Sequence, residues 1–107
     1  MAHRYSLVVS LWIRAGQEAA FEAFEREAAG RMAIHGGRID AAVRTAPNGM
    51  ATGPEDATAY EVHIVSFPSK AAADAYARDP ATIAAREKRA AIIAQTIVMP
   101  GREMGPY

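Results

Sequence analysis

Tyr5-Ser-Leu-Val-Val-Ser-Leu-Trp-Ile-Arg14 decides how the rest of the chain is read. The segment is rich in β-branched and aromatic residues, which suit a pleated, half-buried surface. One parity holds Tyr5, Leu7, Val9, Leu11 and Ile13, all apolar. The other holds Ser6, Val8, Ser10, Trp12 and Arg14 and is mixed. Alternation with one greasy side predicts a strand over 5–14 with that side on a core. Ala15-Gly16 ends it. A covering layer must follow.

Residues 17–34 supply one. Ala20, Phe21, Phe24, Ala28 and Met32 recur at helical spacing. Glu22 precedes Arg26 by four and Glu27 precedes Arg31 by four, the favourable order for ion pairs on a wet face. A helix of about 16 residues spans about 24 Å, the length of a strand of seven or eight. His35-Gly36-Gly37 stops it. Residues 38–45 alternate again, with Ile39, Ala41 and Val43 against Arg38, Asp40, Ala42 and Arg44, which predicts a strand near an edge. Residues 46–58 gather prolines, glycines and the turn pair Asn48-Gly49, so they form a loop that could cover a site.

Residues 59–67 predict a third strand, with Tyr60, Val62 and Ile64 on one face and Glu61, His63, Val65 and Phe67 on the other. Pro68-Ser69 closes it, and Ser69 can cap a helix that starts at Lys70 and turns Ala73, Tyr76 and Ala77 inward. Asp79-Pro80 interrupts that helix. Proline is good at a first helical position, so Asp79 caps a restart from Pro80 to about Ala91. Ile93 to Met99 supply a fourth strand, Pro100-Gly101 ends it, and 102–107 form a short tail. The order βαββαβ, with two helical stretches, favours an α+β fold with a four-stranded antiparallel sheet.

Two helices cover only one face of such a sheet. The other is expected to carry Val8, Trp12, Val65 and Phe67 beside Ser6, Ser10, Arg14, Glu61 and His63. Left wet, those apolar groups would expose a patch of several hundred Å². Burying it at about 25 cal/mol per Å² contributes several kcal/mol, so a twofold homodimer with sheets face to face is expected. A patch for some other protein, or an inverted assignment of the two faces, is the competing explanation.

Composition narrows the rest. A chain of 107 residues fits one domain, 1–107. Without cysteine there is no disulfide, thiolate metal site or cysteine nucleophile. Twelve basic and twelve acidic residues, interspersed, give no global field toward nucleic acid or an anionic membrane. No apolar run reaches the roughly 20 residues of a membrane span. Arg4 and Arg14 bracket a segment unlike a signal peptide, so a cytoplasmic protein is expected.

Leu11-Trp-Ile-Arg-Ala-Gly16-Gln-Glu-Ala-Ala-Phe21 resembles the first strand and helix of the antibiotic-biosynthesis-monooxygenase group. Gly36-Gly37-Arg38, Val65-Ser-Phe67-Pro68-Ser69 before an alanine-rich helix, and Asp79-Pro80 are similar to a bacterial family of unknown function. Both groups belong to the dimeric α+β barrel superfamily. The resemblance covers nearly the whole chain and implies a ferredoxin-like fold and a barrel built by two chains. Its members include cofactor-free oxygenases, haem degraders, isomerases and proteins of no known activity, so it implies function only loosely.

His63 with Glu61 is the best candidate constellation for catalysis. Two apart on one strand, they share a face. A carboxylate beside an imidazole fixes its tautomer and suits it to act as a general base. Strand one neighbours strand three in this fold, so Trp12, Ser10 and Arg14 could sit close by. A polar pair bonded across a dimer axis would read identically. Tyr60 and Tyr76 could reach a cavity between sheet and helices or simply fill the core. Trp12, Arg14, Tyr60 and Tyr76 are thus the candidate substrate-binding residues. His35 suits a helix end. Arg38, Asp40 and Arg44 share a face and could grip a carboxylate or be solvated. Haem degradation pairs Trp and His with an Asn, and the only asparagine is Asn48, in the loop. His3, His35 and His63 lack metal-ligand spacing. No cofactor and no metal are expected. Two functions stay open. One is a small-molecule-binding dimer acting as a cofactor-independent monooxygenase or isomerase on an aromatic or polyketide-like compound, its pocket between sheet and helices under the 46–58 loop. The other is a non-enzymatic dimeric stress or assembly module. Nucleic-acid binding would need stacking aromatics and basic flanks on the open sheet face, and Glu61 and the neutral charge oppose it.

Overall fold

The computed structural model describes residues 3–46, 52–54 and 57–107. Eight elements follow in chain order: β1 (Tyr5–Ile13), α1 (Glu18–Ile34), β2 (Arg38–Arg44), β3 (Glu61–Phe67), α2 (Lys70–Arg78), α3 (Pro80–Ala84), α4 (Arg86–Ile92) and β4 (Ile93–Gly101). The strands form one antiparallel sheet in the order β2-β3-β1-β4. The helices pack on one face of it. The Asn48-Gly49 turn, and most of the loop expected over the pocket, lie outside the described residues.

Local chemistry sets the breaks. Ser69 Oγ accepts from Ala72 N at 3.1 Å and starts α2. Asp79 ends it and caps α3 through Ala81 N at 2.9 Å, with Pro80 at the first helical position. The expected single restart to Ala91 is instead two short helices that meet at Ala85. β4 runs past Met99 through Pro100 to Gly101. It is an edge strand, where a missing N–H can face solvent. Gly36 turns the chain out of α1 with φ +74°, and a Cβ on Gly37 would lie 2.5 Å from Phe67 Cε1. The glycine pair therefore serves both the turn and the close approach of β2 to an aromatic core.

The core lies between sheet and helices in two joined parts. Leu11, Phe21, Phe24, Ala28, Ile92 and Ile93 form one. Met32, Val65 and Phe67, with Leu7, Ile39 and Tyr76 against them, form the other. The expected apolar side of β1 is thus the buried side.

The face expected for β3 is reversed. Leu7 pairs with Val65, Val9 with His63 and Leu11 with Glu61, so Glu61, His63, Val65 and Phe67 point under the helices. The open face instead carries Val8, Val62, Ile64, Ile97 and Met99. Both parities of β3 carry apolar residues, so alternation alone does not tell which of them is buried. A second correction concerns β2. A register shift between Ile39 and Ala41 flips every later side chain. Arg44 therefore shares the helix side with Glu61, apart from Arg38, while Val43 lies 64% exposed. Among the described residues no helix is long and apolar enough to cross a membrane.

Candidate functional site

His63 stands mid-strand on β3 and is 3% exposed. Its Nε2 lies 2.6 Å from Glu61 Oε2. The other oxygen of Glu61 accepts from Arg44 Nε at 3.1 Å and Nη2 at 2.9 Å. Arg44 Nη1 continues to Glu22 on α1 at 3.0 Å, and its guanidinium lies 4.8 Å from the centre of the Tyr60 ring. On the other side of the imidazole, Nδ1 is 3.8 Å from Glu25 Oε2. A buried imidazole thus stands between two carboxylates, one tied to the surface by an arginine. Such a pair fixes the ring's tautomer and leaves its second nitrogen for proton transfer.

The bulge in β2 makes this possible, because it brings Arg44 to the side where Glu61 needs a cation. Glu25 comes from the inward stripe of α1, four residues after Phe21 and three before Ala28. Its carboxyl is pushed above the ordinary range, chiefly by loss of solvent. The neighbouring His63, Arg89 and Arg31 oppose that rise, and the negative charge of Glu61 adds to it.

His63 and Glu25 line a cavity of about 460 Å³ between the sheet and the helices. Leu7, Val9, Phe24, Met32 and Val65 give it apolar walls, and Arg31, Tyr76, Thr82, Arg89 and Thr96 give it polar ones. Arg89 is braced by Thr96 Oγ1 at 2.6 Å. Burial also pushes the Tyr76 phenol up. Among the described residues no three histidine, aspartate or glutamate side chains converge as metal ligands do.

The other expected residues scatter. Tyr76 lines the cavity and packs on Phe67, with ring centres 5.6 Å apart. Tyr60 stands edge-on to Phe21 at 5.6 Å, outside the lining. Trp12 pairs with Gln95 on the open side of the sheet, so it cannot meet His63 as expected. Arg14 closes the end of α4, its Nε donating to Ala90 O at 2.9 Å. Arg38 pairs with Asp40 at 3.2 Å. His35 does sit at the end of α1, and its Nε2 also meets Asp79 Oδ2 at 2.7 Å. Glu27 pairs with Lys88 at 3.1 Å rather than with Arg31. Glu25, Arg31 and Arg89 were not singled out by sequence; spacing from Phe21, Phe24 and Ala28 was the available signal for the first two.

Glu25 has a measurable consequence. Its folded-state pKa lies above the unfolded value, so the stability it supports is present in acid and lost as pH rises through the folded value. Glu25→Gln removes that loss. The variant is expected to melt higher than the parent at about pH 8, with the gap closing as pH falls below the ordinary carboxylate range. Thermal unfolding across pH checks it; a variant that melts lower at neutral pH contradicts the assignment.

Neither a family model nor a curated protein matches the chain. Solved structures do. A protein of unknown function from Rhodopseudomonas palustris superposes with TM-score 0.82 at 20% identity, over 99% of this chain and 86% of that one. A protein of Nitrosomonas europaea provisionally assigned as an antibiotic biosynthesis monooxygenase gives 0.71 at 14% identity, over 99% and 95%. A dabb family protein with a ferredoxin-like fold from Mesorhizobium loti gives 0.66 at 15% identity, over 96% and 99%. The chain has the ferredoxin-like α+β fold shared with these structures.

Proposed function

We propose that the chain is a small-molecule-binding protein that removes a proton from carbon without a cofactor, working as a homodimer with its sheets face to face. The observation that supports the chemistry is the buried His63, 2.6 Å from Glu61 and lining a cavity of about 460 Å³. A proton acceptor enclosed by apolar walls is what deprotonation beside a carbonyl requires. His63 takes the proton at a ring nitrogen, Glu61 holds the ring and stabilises the imidazolium, and Arg44 holds Glu61.

The carbanion can go two ways. Returned to a different carbon, the proton gives an isomer. With oxygen as co-substrate, an aromatic methylene becomes a carbonyl: CH2 plus O2 gives C=O plus H2O, the carbon losing four electrons and oxygen gaining them. The likeness to the Nitrosomonas structure favours the second, on aromatic or polyketide-like compounds. An open cavity at this place favours this reading over a dimer with no chemistry.

The test is oxygen uptake with a panel of quinols and anthrones. Turnover on at least one, lowered about 100-fold or more by His63→Ala, supports the proposal. Failure across the panel with the protein folded would leave the non-enzymatic dimer.

A further inference from the structure

We propose that the cavity selects organic anions, specifically carboxylates with an apolar body, and that Arg31 is the residue that grips the carboxylate. This rests on the cavity being a binding site.

The first observation is an imbalance in hydrogen bonding. Arg31 Nε and Thr82 Oγ1 are buried and have no partner among the described residues, and both residues line the cavity. Buried polar groups are nearly always paired. Two such groups from separate helices, α1 and α3, at one cavity describe a receptor for an acceptor-rich group. Arg31 lies with its guanidinium carbon 5.5 Å from the centre of the Phe24 ring. That packing holds the planar fork in place, and Nε with one terminal nitrogen matches the two oxygens of a carboxylate.

The second observation is charge. Arg31, Arg86 and Arg89 line the cavity against one carboxylate, Glu25. Glu61 is already engaged by Arg44. A neutral ligand would leave this excess of cations uncompensated, whereas a monoanion reduces it. The walls at Phe24, Met32, Val65 and Phe67 are apolar, so the rest of the ligand is hydrocarbon or aromatic. Affinity then comes from the body, and selection from the charged end.

Isothermal titration of the full chain with 2-naphthoate and with 2-naphthamide separates the possibilities, since the pair differs only in the charged group. The naphthoate is expected to bind at least tenfold tighter. Arg31→Met should erase that preference, and Arg31→Lys should restore only part of it. Val65→Trp, which fills the cavity, should weaken both ligands. Circular dichroism confirms that each variant is folded, and Thr82→Val gives a milder loss from a position on a short surface helix. Equal binding of the amide, lost in Val65→Trp, overturns the anion assignment and keeps the cavity as a site. A preference for the acid that survives Arg31→Met places the anion elsewhere and also overturns it. If neither ligand binds, or if Val65→Trp has no effect, the cavity reading falls with it.

Discussion

Ile64→Asp is expected to split the proposed homodimer into folded monomers of 11.4 kDa. Ile64 sits mid-sheet on the face without helices, between Val8 on β1 and Ala41 on β2. Val62, Val43, Ile97 and Met99 extend the same face, and Val43 and Met99 are 64% and 52% exposed. Contiguous apolar residues on a face that no helix covers are the kind of patch that marks an interaction site. In a twofold interface each substitution appears twice, and two carboxylates would be buried close to one another without cations. The dimer constant is expected to weaken about 100-fold or more, since each 1.4 kcal/mol is a factor of ten. The fold should survive, because Ile64 contributes to neither buried cluster under the helices. Sedimentation equilibrium with circular dichroism checks both halves. A parent chain already monomeric at micromolar concentration removes the dimer from the proposal and leaves the cavity untouched.

The largest loss of stability is expected from Glu61→Ala. One oxygen of Glu61 pairs with His63 and the other with Arg44. Its side chain is 10% exposed, that of His63 4% and that of Arg44 42%. Removing the shared carboxylate leaves the buried ring without its acceptor and Arg44 with Glu22 alone. A buried polar group left without its partner costs about 1–3 kcal/mol, and the loss is expected in that range. Glu61→Gln keeps the shape and one acceptor for Arg44, so its loss should be smaller. Urea midpoints of the two variants measure the difference. Equal, small shifts would mean that the pair contributes little to the folded state.

Much of the fold could be read from the residues because each element carried its own period. The greasy parity of β1, the stripe of α1 and the cap at Asp79-Pro80 each name a local structure with a physical cause. The misreadings share a cause too. In β3, Val62 and Ile64 are as apolar as Val65 and Phe67, so no parity was visibly the wet one. The sheet neighbours decide it, and neighbours are not local information. In β2, one extra residue at the bulge moved Arg44 to the side of Glu61, and nothing in Arg-Ile-Asp-Ala-Ala-Val-Arg marks a bulge.

The site was legible only as far as one strand carries it. Glu61 and His63 lie two apart and were paired correctly in space, but on the wrong side of the sheet. Trp12 and Arg14 were joined to them by the same inverted parity. Glu25, Arg31 and Arg89 belong to helices whose charged residues look like a wet surface. What distinguishes Glu25 from Glu27 is rotation: Glu25 falls in the stripe of Phe21 and Ala28, whereas Glu27 reaches Lys88. Only packing of α1 over β3 turns that rotation into a contact with His63.

The central claim is that His63 takes a proton from carbon inside the cavity. Oxygen obscures that step, so the direct measurement is anaerobic. Anthrone and a ring-carboxylated anthrone are held in D2O with the protein, and loss of the methylene signal is followed by proton NMR. The expected result is exchange well above the buffer rate, falling about 100-fold or more in His63→Ala. Exchange at the buffer rate with the ligand bound, or an unchanged rate in His63→Ala, contradicts the claim.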